Sequence, residues 1–404
     1  MNNFFLNEFL HFGYLPIHKN RYPFEIEKIQ ISEIQGDENE LKEKAFQCFK
    51  NVIKKKLTSK RVLIPLSGGV DSRLILAEIF NQIEREKIRT ITFGVPGNLD
   101  VELAAKVTSI FDINHQFIDL RSVSFTENEL VEFAGKSGTP SNLMEAFWSH
   151  SMWKEMEADE TVFSGFIGDR ITGSVPEHLR KIESFDEAKT VFIDQNRADK
   201  SGFLPQMNPE ELHVSDDLYS FLSPYEKLDY RIRQMNMTAP IVLGSFSDIQ
   251  KPLIDSDFVS FFYSIDSAYR NHQSLFFTMA RTYYPDFFDI GVKNNFGAPV
   301  GSSTFRQKLM RKFMVGRRLI NRNSPKLGIQ DQLQNYTDPY WFFVKNKATS
   351  VLTEKTIEDL SKRSLLSVNP MIALEKVQKG DMGFAKALEI LFNLEIYIKA
   401  GVIK

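Results

Sequence analysis

The sequence predicts an α/β chain, with a parallel sheet over residues 60–180 and a largely helical C-terminal half. Three observations carry this. Four short β-rich runs, "RVLIPL", "IRTITFGV", "HQFIDL" and "TVFSG", are separated by helical patterns of roughly 12 to 16 residues, the signature of βαβ units and hence of a parallel sheet. The first run ends in a glycine turn, "SGGVDS", that opens directly into a helical pattern. From residue 205 onward long helical patterns dominate, including "KPLIDSDFVSFFYSI" and "GFAKALEILFNLEIYIKAGVI".

In chain order, residues 1–37 read as a lead-in of short apolar pieces broken by "LPIHKNRYP", with no period that buries a core alone. Residues 38–200 form the α/β region. It opens with a helix over 38–60, where Leu41, Ala45, Phe49 and Ile53 fall on one stripe and Cys48 lies beside it as a small core residue. After "RVLIPL" comes a helix through "LILAEIFNQIEREK". "DVELAAKVTSIF" is the next helix, and another runs from about Asn142 to Glu157. Residues 201–404 are the helical region packed against the sheet. No repeat or low-complexity linker interrupts them.

Composition limits the function classes. The 404 residues are 42% hydrophobic and 25% charged with net charge −2, ordinary for a globular chain and without a global case for nucleic acid or membrane binding. No apolar run reaches the roughly 18 residues of a spanning helix, and "MNNFFLNEFLHF" has no basic n-region, so a cytoplasmic protein is expected. One cysteine excludes an internal disulfide framework and a multi-cysteine metal site. The basic run "FRQKLMRKFMVGRRLINR" reads as a solvated amphipathic face or a lid over phosphates, with nucleic-acid contact as the lesser alternative.

In an open parallel sheet, ligands sit at the carboxyl ends of the strands, where "SGGVDS" lies. Gly68 and Gly69 let backbone N–H groups approach an anion, Ser67 and Ser72 add hydroxyls, and the helix N-terminus adds a favourable dipole. That dipole contributes only about 0.3–1 kcal/mol per charge at an exposed site, too little to hold a polyphosphate unaided. A cation is needed, and Asp71 supplies a carboxylate of the kind Mg²⁺ takes. The spacing is neither G-x-x-x-x-G-K-[ST] nor G-x-G-x-x-G. A purely structural turn capped by Asp71 and Ser72 explains one glycine better than two.

S-G-G-x-D-S after a buried strand resembles the pyrophosphate loop of the ATP pyrophosphatase (PP-loop) superfamily, with its adenine nucleotide α-hydrolase-like fold. Four further segments narrow the resemblance to the synthetase domain of asparagine synthetase and β-lactam synthetase, over roughly residues 5–305. "TITFGV" matches the strand that passes the adenine, which implies Phe93 and Gly94 as base contacts, with Leu66 ahead of the loop. "DVELAAKVTSIFDINHQFIDL" is similar to the family's acidic helix, histidine and third strand; His115 is more simply structural. "FSGFIGDRITGS" resembles S-G-x-G-x-D-E-x-x-G-G, which implies Ser164 and Gly165 at the nucleotide and Asp169 as second magnesium carboxylate. "DIQKPLID" resembles E-x-R-x-P-F-L-D and implies Asp248 as a base, while "VKNNFGAPVG" implies Lys293 as the catalytic lysine.

What the resemblance implies is an ATP-dependent ligase without its own glutaminase. It adenylates a substrate carboxylate and passes it to ammonia or an amine, releasing pyrophosphate and AMP. The glutaminase nucleophile, an N-terminal cysteine, is absent from Met1-Asn2, so free ammonia, another amine or a separate glutaminase partner is expected. Phe166 stands where the family carries glutamate or tyrosine, and a phenyl ring accepts no proton. Arg170 replaces the glutamate of D-E, and Gln250 and Lys251 stand near the family arginine. These departures point away from aspartate, toward a specialised-metabolite or surface-polysaccharide substrate. A nucleotide-binding accessory protein and an RNA-modifying PP-loop enzyme remain the alternatives.

Overall fold

Helix formation begins wherever the local sequence caps a start and repeats an apolar stripe. In the computed structural model, which describes residues 3–16, 29–58, 61–214, 220–243, 249–301, 304–329, 331–334 and 336–403, the lead-in forms helix α1 (Asn3–Phe12). Its Leu6, Phe9 and Leu10 are buried against the C-terminal helix Ala385–Lys399, with the Phe9 and Tyr397 rings meeting edge to face at 5.9 Å. The two chain ends thus share a core that neither builds alone. Helix α2 (Glu38–Lys56) starts at Asp37, whose carboxylate accepts from the Asn39 and Glu40 amides at 2.8 and 3.0 Å. Leu41, Ala45, Phe49 and Ile53 are all buried, as the stripe requires, and Cys48 packs beside the main core.

The sheet is parallel throughout, in the order β3-β2-β1-β4-β5: β1 (Arg61–Pro65), β2 (Ile88–Gly94), β3 (Asn114–Asp119), β4 (Glu160–Phe163) and β5 (Ile249–Gln250). Between them run α3 (Asp71–Phe80), α4 (Leu99–Ile110), α5 (Glu127–Ser137) and α6 (Leu143–Trp153). Two of these elements lie outside the sequence reading. Helix α5 starts with a Thr126–Glu129 capping box, a start signal that the sequence itself carries. Strand β5 is two residues long, too short for any periodicity, and is contributed by the helical half; Val162 pairs with Ile249 and Phe163 with Gln250.

The strand order places the reversal of direction at β1, since β2 lies on one side of it and β4 on the other. A crevice therefore opens at the carboxyl ends of β1 and β4, the position where open α/β sheets bind ligands. The main core fills the space between the sheet and the helices, with Val62, Leu63, Ile64, Phe163 and Phe258 fully buried. Among the described residues no helix is long and apolar enough to cross a membrane.

Candidate active site at the carboxyl ends of β1 and β4

The glycine turn after β1 is built largely by its own serines. The Ser67 amide donates to Ser72 Oγ at 3.1 Å, the two hydroxyl oxygens lie 3.1 Å apart, and the Gly69 amide donates to Ser67 Oγ at 3.2 Å. Leu66 still belongs to the sheet: its amide donates to the Ile91 carbonyl at 2.9 Å, and its own carbonyl accepts from Thr92 Oγ1 at 2.6 Å. Helix α3 then opens at Asp71 without a side-chain cap, so its first amides are not covered by a hydroxyl or carboxylate of the cap residue.

The two glycines do different things. A Cβ on Gly68 would stand 2.7 Å from the Leu99 carbonyl oxygen and 3.2 Å from the Asp100 Cα. Gly68 is therefore required by the close approach of the turn to the start of α4. Gly69 has more room, with Ser67 Oγ at 3.3 Å and Asn294 Oδ1 at 3.7 Å from such a Cβ. Neither has a positive φ. Gly68 thus answers to packing, a constraint that Gly69 does not share.

Asp100, unremarked in the sequence reading, is the residue that ties the site together. It is buried in the first turn of α4, behind the Asn98 cap that accepts from the Val101 amide at 2.9 Å. One of its oxygens accepts from the Gly68 amide at 2.9 Å and the other from Lys293 Nζ at 2.6 Å. The only sequence signal was an acidic residue one turn into a helix beside the turn, which is common at helix starts for dipole reasons alone.

Lys293 is held twice, since its backbone amide also donates to the Gly68 carbonyl at 2.7 Å. Its loop folds back on itself: a Cβ on Gly291 would lie 2.0 Å from the Gly297 carbonyl oxygen, and Gly297 takes φ +82°. Arg73, fully buried on α3, donates to the carbonyls of Phe287, Ile290 and Gly291 at 3.3, 3.0 and 2.9 Å. Burial lowers its guanidinium to about 10. The helix that follows the glycine turn thus anchors the lysine loop. An arginine among apolar residues on a helix gave no hint of this in sequence.

Asp71 and Asp169 meet across the crevice. The Asp169 amide donates to Asp71 Oδ2 at 3.0 Å, and a Cβ on Gly165 would lie 2.9 Å from the Asp71 Cβ, so the loop after β4 presses on the start of α3. Burial first, and then the Asp169 charge, hold the Asp71 carboxyl well above its ordinary range, with the Asp169 amide opposing them. Asp169 Oδ2 accepts from Ser174 Oγ at 2.9 Å and lies 3.6 Å from Arg170 Nε. Both residues are half-buried, and a divalent cation held between them would relieve the repulsion that raises Asp71. Among the described residues no group of three or more His, Cys, Asp or Glu that could hold a metal ion is found.

The remaining expected residues fall around this centre. Ser164 is buried and its hydroxyl accepts from the Phe166 amide at 3.3 Å. The Phe166 ring is buried in the main core, so no proton acceptor stands at that position. Ile167 beside it takes φ +48°, an uncommon conformation for a β-branched residue and a mark of local strain. Phe93 and Gly94 end β2, with the Phe93 ring 5.9 Å from that of Tyr336. Asp248 lies outside the described residues. His115 Nδ1 lies 2.9 Å from Thr90 Oγ1, and burial lowers its pKa, in keeping with a structural histidine. The Cys48 thiol is pushed up to about 12 by burial, then by Asp257 and Asp255, far from a nucleophile's range. The basic run forms the helix Thr304–Asn323, whose Met314 is buried on Leu99 and Leu103 next to Asp100.

No curated protein matches the chain by sequence. Residues 48–218 match the family model described as asparagine synthase, a span that runs from α2 through the glycine turn and the Asp169 loop. Over that span the chain is similar to an asparagine synthetase-like synthetase domain.

Proposed function

We propose that the protein adenylates a substrate carboxylate with ATP and transfers the acyl group to ammonia or another amine, with Asp71, Asp169 and Lys293 as its working residues. The reading rests on one observation above the rest: the loop after β4 meets the start of α3 beside the glycine turn, where the Asp169 amide donates to Asp71 Oδ2 at 3.0 Å, while Lys293 is held on the same turn. In the first step a carboxylate oxygen attacks the α-phosphorus and the bond to the β-phosphate bridging oxygen breaks. In the second, the amine nitrogen attacks the acyl carbon, AMP leaves, and the amine gives up a proton.

The chain's own groups have separate tasks. The turn from Ser67 to Ser72, with the uncapped start of α3, holds the terminal phosphates, with Leu66, Phe93, Gly94, Ser164 and Gly165 around the nucleoside. Mg²⁺ held by Asp71 and Asp169 supplies neutralisation of the leaving pyrophosphate. Lys293 directs its ammonium at charge developing on the adenylate, and Asp100 keeps that ammonium in position. With a phenyl ring at 166, the amine proton passes to Asp248, to solvent or to the substrate. Arg170, ion-paired with Asp169 and, at 3.5 Å, with Asp229, leaves a pocket unlike one for aspartate. A specialised metabolite or surface polysaccharide precursor suits it better. The nitrogen comes from free ammonia, an amine or a separate glutaminase.

The test is pyrophosphate release from ATP over a panel of carboxylates, with and without ammonia. Asp71→Asn and Asp169→Asn should each abolish it, and normal turnover in either refutes the assignment. Lys293→Ala should keep ATP binding but lower amide formation about 10²–10³-fold, the usual loss for one transition-state donor. ATP binding with no pyrophosphate under any carboxylate would point instead to an accessory nucleotide-binding role.

A further inference from the structure

A second cavity, of about 150 Å³, lies between α6 and the C-terminal helices, with Tyr336 in its lining. Its lining is chemically specific. Glu145 from α6 and Glu389 from the last helix bring two carboxylates, of which Glu389 is paired with Lys386 Nζ at 3.0 Å. That leaves two carboxylates to one lysine in a half-open pocket. Trp148 and Tyr336 stack at 5.8 Å with an interplanar angle of 20°, and Phe342 meets Trp148 edge to face at 6.0 Å. Aromatic faces beside two carboxylates that share one lysine favour a cation over a neutral guest.

Two buried polar groups on the wall have no hydrogen-bond partner: Trp148 Nε1 and Thr337 Oγ1, each on a residue only 5% exposed. An unsatisfied buried donor costs about 1–3 kcal/mol. An occupant that carries an oxygen acceptor removes that cost. Volume sets the size, since a cavity of about 150 Å³ accepts a molecule as large as benzene. Burial raises the Glu145 carboxyl to about 7 against the opposing Lys386 charge, with Glu389 adding a smaller push, which suits a group able to take a proton from an ammonium near neutral pH.

We propose that this cavity binds a small primary amine bearing a hydroxyl or carbonyl oxygen, with the ammonium on Glu145 and the oxygen on Trp148 and Thr337. Its assignment as the amine substrate's site rests on the ligase reading above. The cavity adjoins the nucleotide region through Tyr336, whose ring lies 5.9 Å from that of Phe93 and whose hydroxyl feels both Glu145 and Asp100.

The experiment is calorimetry on the full chain without ATP. The probes are ethanolamine, serinol and 4-hydroxybenzylamine, each against its hydroxyl counterpart: ethylene glycol, glycerol and 4-hydroxybenzyl alcohol. At least one amine should bind 10-fold or more tightly than its counterpart. Glu145→Gln should erase that preference, and Trp148→Phe, which keeps the ring but loses the donor, should weaken the amine several-fold; thermal unfolding checks that both variants fold. The proposal is overturned if no amine is preferred, if the preference survives Glu145→Gln, or if AMP displaces the amine competitively. Amine binding without pyrophosphate release under any carboxylate leaves the cavity standing and removes the ligase reading. Pyrophosphate release without amine preference does the reverse.

Discussion

The two ends of the central sheet use charge in opposite ways. At the amino end, Arg89 from β2 donates through Nε and Nη2 to the two Glu160 oxygens at 2.7 and 2.6 Å, and through Nη1 to Gln116 Oε1 at 2.8 Å. Arg61 at the start of β1 pairs with Glu157 and Asp159. Opposite charges there tie β1, β2, β3 and the approach to β4 together with their hydrogen bonds met. At the carboxyl end, Asp71 and Asp169 are like charges brought together by backbone geometry, and Lys293 finds its carboxylate on Asp100. The first arrangement stabilises the fold. The second opposes it, as expected where a site is arranged for a ligand that the chain alone does not supply.

Asp71→Asn tests this contrast most severely. It should remove activity at least 10³-fold and yet raise Tm by about 2–4 °C, the shift for roughly 1 kcal/mol in a domain of this size. The pH dependence gives the sign. Because the folded-state pKa of Asp71 lies above its unfolded value, the folded protein binds the extra proton, and wild-type stability falls as pH rises from about 4 through the raised value. The gain in the variant should therefore grow with pH over that window in thermal melts. A gain that is constant with pH, or a loss, breaks the comparison.

Glu160→Gln should behave inversely. Leaving Arg89 buried without its carboxylate costs about 3 kcal/mol, the low end for a broken buried pair because Gln116 still accepts from it. Activity per folded molecule should be unchanged. Burial raises the Glu160 carboxyl, but the Arg89 hydrogen bonds, the Glu157 amide and the Arg89 and Arg61 charges together bring it below its ordinary value. Its contribution is therefore present above the unfolded pKa of about 4.3 and fades as pH falls through the folded one. Denaturant titration of both proteins at pH 7 and pH 3.5 should show the difference shrinking on acidification.

The smallest effects separate the two glycines. Gly68→Ala pushes a methyl against the Leu99 carbonyl and should cost about 2 kcal/mol. Gly69→Ala, with its nearest neighbour at 3.3 Å, should change stability by no more than about 0.5 kcal/mol. Equal losses in the two variants would remove the distinction between a glycine required by packing and one that is not.

Much of this was legible before any coordinates. Four strands, the stripe of α2 and the turn that opens α3 follow from local periodicity and composition, which a linear pattern records directly. The resemblance supplied Asp169 and Lys293, and the fold brings Asp71 to Asp169 and Lys293 to the same turn. Residues that act through distance in sequence were not legible. Arg73 reaches carbonyls more than 200 positions away, Asp100 joins residues 32 positions before it and 193 after it, and β5 is two residues recruited from the helical half.

By itself, then, the sequence determined a parallel α/β chain with a glycine turn facing the ligand side of its sheet. Periodicity and turn chemistry are properties of neighbours. Only the tertiary structure decided that Gly68 serves packing, that Asp100 holds Lys293, and that Glu145 and Glu389 share one lysine beside an aromatic cavity. Each of these depends on which distant groups share a small space, and burial and Coulomb interaction act on that distance alone.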